Sequence, residues 1–239
     1  MKRIILRLTI ALLTFALGVT AAAFRLIHPL PQVERQENTS CCLRDFTEPH
    51  ARRRAAPDFY FPVLIFPADN LLERNFVEWY SGTLAAMREP PFSSLTSSDF
   101  EAYRFLWLRS FHPPVSIRIW RHNNEYCMTV KQLDSVDRYI DGRPVPAENL
   151  VVNSTRPLSR EEWTTFKQLL DGTRFWELPT FDVVPLANDG AFWMLEGVAN
   201  GRHHFIDRQS PEHGAFYEAC VYLLRRSNIS IDESKHELY

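Results

Sequence analysis

The chain has 239 residues, 45% of them hydrophobic and 13% aromatic, and a formal net charge of −2. Such a composition is globular, and one domain of this size can bury a core without metal or disulfide staples. The near-neutral balance excludes the strongly basic surface that nucleic acid or an anionic membrane face would demand, and the run Arg52-Arg53-Arg54 reads as solvated linker charge.

The N-terminus has three parts: basic MKRIILR, apolar LTIALLTFALGV, and the small residues Thr20 to Ala23 before Phe24. This is the layout of a secretory signal, and Ala21-x-Ala23 meets the cleavage rule. Residues 1–23 are therefore expected to be a signal peptide cleaved after Ala23. The alternative is an uncleaved anchor, because Ile4 to Ala23 just reaches membrane-spanning length if Arg7 is tolerated. Either way the folded part lies outside the cytoplasm, periplasmic or secreted in the first case, held at the inner membrane in the second. The alanine-rich cleavage region has a bacterial character.

Residues 24–56 carry prolines and charges without apolar period and predict a low-structure linker. Cys41 and Cys42, adjacent within it, are awkwardly placed to bond each other. Pattern begins near Phe59 and fades after Ile231, giving a single domain at 57–231 and a polar tail at 232–239. The first helix is expected over 70–87, with Leu72, Phe76, Tyr80, Leu84 and Met87 on one stripe and Pro90-Pro91 closing it. YRFLWLRSF (103–111) reads as a strand buried on both faces.

VSIRIWR and YCMTVKQL (115–121 and 126–133) predict a hairpin about Asn123-Asn124. Pairing Arg121 with Tyr126 puts Ile117, Ile119, Met128 and Val130 on one face and Ser116, Arg118, Thr129 and Lys131 on the other. A Gly-Pro loop at 141–147 and a short strand near 150–152 precede a helix over 161–170, started by a Ser159/Glu162 capping box and ended at Gly172. FWELP (175–179) closes that unit. A second hairpin turns at Asn200-Gly201, and a last helix runs over 212–227 with Phe216, Cys220, Leu223 and Leu224 inward. The sum is an α+β fold: an antiparallel sheet built from hairpins, with about three helices packed on it. Cys127 and Cys220 fall on opposed sides and are not expected to pair; Cys220 should behave as a small buried hydrophobe.

The stretches WYSGTLAAMREPPF, YRFLWLRSFHPP, FWELP and DGAFWMLEG…HHFIDRQSP resemble motifs of an uncharacterised family of bacterial exported hypothetical proteins, over residues 59–229. In that family tyrosine often precedes the second histidine and tryptophan often precedes the serine of the closing motif; here those places hold His203 and Gln209. The resemblance implies the domain limits and the α+β class, and it brings no activity and no catalytic residues.

The second hairpin carries the densest chemistry. Pairing Ala199 with Arg202 puts Glu196, His203 and Asp207 on one face as diagonal neighbours, and Trp193 opposite Arg208 on the other. Carboxylate, histidine and carboxylate together suit general acid–base work or a divalent metal site. The plainer reading is a half-exposed sheet face whose polar groups bond one another or water, so that Glu196→Gln would leave the fold nearly intact. Trp193 and Arg208 are expected to form a cation–π clasp, with ligand contact as the alternative. Arg109 and His112, flanking Phe111, could line a cleft at a strand end; a solvated or acid-paired arginine is the alternative.

The chain carries no nucleophile in an activating motif, no phosphate loop, no dinucleotide fingerprint and no His or Cys spacing for a metal, so no cofactor and no metal are expected. Nor does it carry a nucleic-acid signature. The leading expectation is a non-enzymatic exported protein that binds a protein or envelope partner, with membrane attachment through residues 4–23 if the anchor is kept. The alternative is a hydrolase-like enzyme using Glu196, His203 and Asp207.

Overall fold

The computed structural model describes residues 60–61, 71–95, 100–136, 138–140, 143–147, 149–182, 189–231 and 238. The expected signal segment and the linker lie outside the described residues, as does nearly all of the tail. All of the elements below belong to the compact unit Ser40–Tyr239.

Among the described residues the fold is α+β: one six-stranded antiparallel sheet with three helices. Helix α1 (Leu71–Ala86) and a 3-10 turn (Phe92–Ser94) lead into β1 (Phe100–Arg109), β2 (His112–His122) and β3 (Glu125–Leu133). A small ribbon pairs β4 (Arg138–Ile140), just before the expected Gly-Pro loop, with β5 (Arg143–Val145), which falls within it. Then come β6 (Leu150–Pro157), α2 (Arg160–Gly172), β7 (Ala191–Ala199), β8 (Arg202–Gln209) and α3 (Ala215–Arg226). Strand order across the sheet is β6-β3-β2-β1-β7-β8.

Both hairpins have the register that side-chain alternation dictates. Arg121 faces Tyr126 and Ile119 faces Met128 in the first; Val198 faces His203 and Met194 faces Asp207 in the second. The turns explain why. Asn123, Asn124, Asn200 and Gly201 all take positive φ, as a two-residue turn matched to strand twist requires. Slipping either hairpin by one residue would move every apolar side chain to the wrong face.

The first face of the sheet packs on α2 and α3. Tyr103, Phe105, Trp107, Ile117, Met128, Trp193 and Ile206 meet Trp163, Phe166 and Leu170 of α2 and Phe216, Cys220 and Leu224 of α3. The capping box at the start of α2 forms as the sequence indicates, Ser159 accepting from the Glu162 amide while the Glu162 carboxylate accepts from the Ser159 amide.

The second face is covered as well, by α1. Tyr80, Leu84 and Met87 of the predicted stripe are buried against Leu106, Leu108, Met194 and Phe205. Leu72 of that stripe has its side chain outside the described residues. The short strand expected near 150–152 extends to Pro157 and forms one edge of the sheet.

Candidate functional site

Strand alternation sends Arg104, Ser116, Arg118, Thr129, Lys131, Glu196, His203 and Asp207 to the second face. Between the α1 cluster and a third apolar cluster (Phe92, Phe100, Ala102, Trp120, Cys127, Val198), these residues form a polar belt. Register sets its order: Arg104 lies directly between Arg118 on β2 and Glu196 on β7.

The turn after α1 supplies a second carboxylate. Glu89, three residues past the helix, is only 3% exposed and enters the belt from above. Its Oε2 accepts from Arg118 Nε at 2.9 Å and lies 3.6 Å from Arg104 Nη1; its Oε1 lies 3.1 Å from Lys131 Nζ. Burial alone would push this carboxyl up. The charges of Arg118, Lys131 and Arg104 outweigh it and hold Glu89 down at about 2. The backbone of the same turn joins in, since Arg88 O accepts from Lys131 Nζ at 2.9 Å and Pro90 O from Arg104 Nη1 at 2.7 Å. Phe92 lies against the Arg104 guanidinium at 4.3 Å.

Glu196 is the other anion of the belt. One carboxylate oxygen pairs with Arg104 Nη2, and the other lies 2.7 Å from His203 Nε2. Glu196 is fully buried, and the His203 side chain is 13% exposed, so the histidine forms the outer end of the chain of contacts. Asp207 does not join them. Phe205 stands between it and His203 along β8, and Tyr80 of α1 donates to Asp207 Oδ2 at 2.6 Å. Burial pushes the Asp207 carboxyl up to about 7, against the Tyr80 hydrogen bond and the Arg208 charge.

Of the expected triple, the structure thus joins Glu196 to His203 and gives Asp207 a different partner. It also corrects the expectation of a half-exposed face, because α1 and the 88–92 turn cover it. With Arg104 beside it, replacing Glu196 by a neutral residue would leave that buried guanidinium with only Glu89, 3.6 Å away, as a counterion.

Two further expectations are revised. Trp193 and Arg208 are directly opposed in register but form no clasp. The indole stacks on Tyr217 at 5.4 Å, while the guanidinium donates to the carbonyls of Pro179 and Thr180 and pairs with Asp182. Covering the sheet edge at β8 is the reason, since the Asp207 amide also donates to Thr180 O at 2.7 Å. Arg109 is not the solvated arginine of the alternative. It is 8% exposed, with its guanidinium 3.7 Å from the Trp107 ring, and it faces His112 across a register shift in β1. Phe111 at the tip is 67% exposed.

Sequence reasoning missed Glu89, Arg104, Arg118 and Lys131 as partners. The available signal was three cations inside otherwise apolar strands, which demands buried acids somewhere else in the chain. Among the described residues no group of three or more His, Cys, Asp or Glu side chains is arranged to hold a metal ion. No helix among them is long and apolar enough to cross a membrane. Comparison with protein-family models, with curated proteins and with solved structures gave no match to this chain.

Proposed function

We propose that this is an exported, non-enzymatic binding protein whose Glu196–His203 cluster is internal scaffolding, with the β6 edge of the sheet, beyond which the described residues place no strand, as the place where a partner adds. The observation that carries the reading is the burial of Glu196: its side chain has no exposed surface, and its two oxygens contact Arg104 and His203. A carboxylate enclosed in this way does not meet a substrate as a general base.

Export is supported by the three-part N-terminus and by Cys127, which is disulfide-bonded. Disulfides persist in oxidising compartments. The resemblance to a family of bacterial exported proteins points the same way.

Strand β6 supports the binding role. The described residues place no strand outside it, and Leu150 to Thr155 carry no charge and no proline, Arg156 and Pro157 guarding only the last two positions of the strand. Val151 on it is 61% exposed. Sheet edges are usually blunted by such residues, and an unguarded one is a template for an added strand. Opposite it, β8 is covered by the Leu178–Asp182 segment.

The hydrolase-like alternative keeps one point in its favour, the raised Asp207 carboxyl, since perturbed groups concentrate at active sites. A photo-reactive residue at position 151, expressed in the native host, separates the two. The binding reading expects a discrete protein adduct that Ser154→Pro abolishes. Absence of an adduct, with host phenotype lost in a folded His203→Gln variant, would favour the enzyme.

A further inference from the structure

Strand β6 ends the strand order, and Asn153, Ser154 and Thr155 along it are exposed, with Val151 exposed beside them. One hydrogen bond fixes which of its backbone groups point outward. Leu158 N donates to Tyr126 O at 2.8 Å, one residue beyond the Cys127–Pro157 pair and in the same register. Antiparallel pairs alternate between hydrogen-bonded and non-hydrogen-bonded, so Arg156, Ser154 and Val152 turn their N–H and C=O groups toward β3. Asn153 and Thr155 turn theirs away from it. Pro157, next in that outward row, has no N–H to offer.

We infer that the partner of this edge is a second copy of the chain, added antiparallel about a two-fold axis at Ser154. Asn153 and Thr155 of one copy then exchange backbone hydrogen bonds with Thr155 and Asn153 of the other. This rests on the reading of β6 as a binding edge and names its occupant.

Register is the first reason. The complete outward residues, Asn153 and Thr155, lie between Pro157 on one side and the register shift opposite Gln132/Leu133 on the other. An axis at Ser154 pairs them with each other and uses every outward group of both. An axis at Thr155 would waste Asn153 on Pro157, and one at Asn153 would send Thr155 to the irregular end of the strand.

Charge is the second reason. Leu150 to Thr155 are uncharged, so a copy that meets the same segment brings no like charges face to face. Ser154 opposes its own copy in a non-hydrogen-bonded pair, the closer kind, where a small side chain fits. The nearest charge is drawn aside: Arg156 Nη2 lies 3.1 Å from Glu162 Oε1 and donates to Arg226 O at 3.2 Å. A two-fold contact joins the same edge of both copies, and β8 at the opposite edge is covered by the Leu178–Asp182 segment, so the pairing closes at two chains.

The test is sedimentation of the chain purified from the native host, over a concentration series, with iodoacetamide present so that no new disulfide joins copies. Wild type should sediment as two chains. Asn153→Lys/Thr155→Lys sets like charges opposite each other across the axis and should sediment as one. Asn153→Lys/Thr155→Asp keeps the same lysine beside Lys131 but sets opposite charges across a Ser154 axis, and should sediment as two. Thr155→Pro removes an outward N–H and spares the ladder to β3; it should sediment as one, which keeps the result readable if the charged variants melt early. Wild type sedimenting as one chain at every concentration would overturn the inference, and so would charged variants that sediment alike. Failure of the edge itself reads differently. A single-chain wild type whose position-151 probe still captures a different host protein loses the second copy and keeps the edge; one that yields no adduct loses both.

Discussion

Arg118 Nε donates to Glu89 Oε2 at 2.9 Å, and neither side chain is more than 1% exposed. That contact joins the turn after α1 to the second strand of the sheet, and through Lys131 and Arg104 to the strands on either side. Glu89 therefore ties the turn after α1 to three adjacent strands of the second face.

Removing its charge leaves three buried cations facing a single remaining carboxylate. Breaking a buried pair from one side typically costs ~3–5 kcal/mol. Glu89→Gln should lose at least that much in urea denaturation. Glu162→Gln, which removes the charge from the part-exposed pairs with Arg156 and Arg226 but keeps an amide oxygen to accept from the Ser159 amide in the capping box, should lose under ~1 kcal/mol. Equal losses would mean that the belt carries no special weight.

Stability should depend on pH with two limbs of opposite sign. Glu89 titrates at about 2 in the fold, below its unfolded value, so its contribution is present above that unfolded value and lost as pH falls through about 2. Asp207 titrates at about 7, above its unfolded value. Its contribution is fully present below the unfolded value and is lost as pH rises through about 7. The melting temperature should fall as pH rises from about 5 to about 8, and fall again on strong acidification. Asp207→Asn, whose amide oxygen can still accept from Tyr80, should flatten the upper limb only.

Gly197 of β7 has no room for a side chain. A Cβ there would sit 2.8 Å from ring carbons of both Phe175 and Tyr103. Overpacking of this kind costs ~1–3 kcal/mol. Gly197→Ala should show it as a lower denaturation midpoint with unchanged slope, whereas Gly172→Ala, which meets nothing within 4 Å, should not.

Cys220 should resist a thiol reagent in the folded protein, because burial raises its thiol well above the usual value. Labelling should follow the unfolding curve in denaturant. Fast labelling of the native protein would mean that α3 opens locally.

The sequence carries the hairpins because their information is local: two Asn-rich turns and a period of two leave one workable register each. The capping box of α2 and the inward side of α3 are legible for the same reason. The contacts that close the site are not local. β1 pairs with β7 about ninety residues later, placing Arg104 against Glu196, and no pattern within either strand specifies that partner. Glu89 sits between a helix end and two prolines, where an acid ordinarily faces solvent; its burial comes only from α1 lying across the sheet. No local pattern places that helix above the second face, which is why the face reads as half-exposed from the sequence.

If Glu196 and its partners hold the fold and take no part in chemistry, removing both charges of the buried pair should be harmless. The decisive measurement is rescue of the null phenotype in the native host by the double variant Arg104→Met/Glu196→Leu. Because both charges leave together, stability should recover most of the ~3–5 kcal/mol that either single change costs. Full rescue by the stable double variant is expected. A double variant that folds as well as the wild type and fails to rescue would contradict the scaffolding role, and would make Glu196 a working carboxylate.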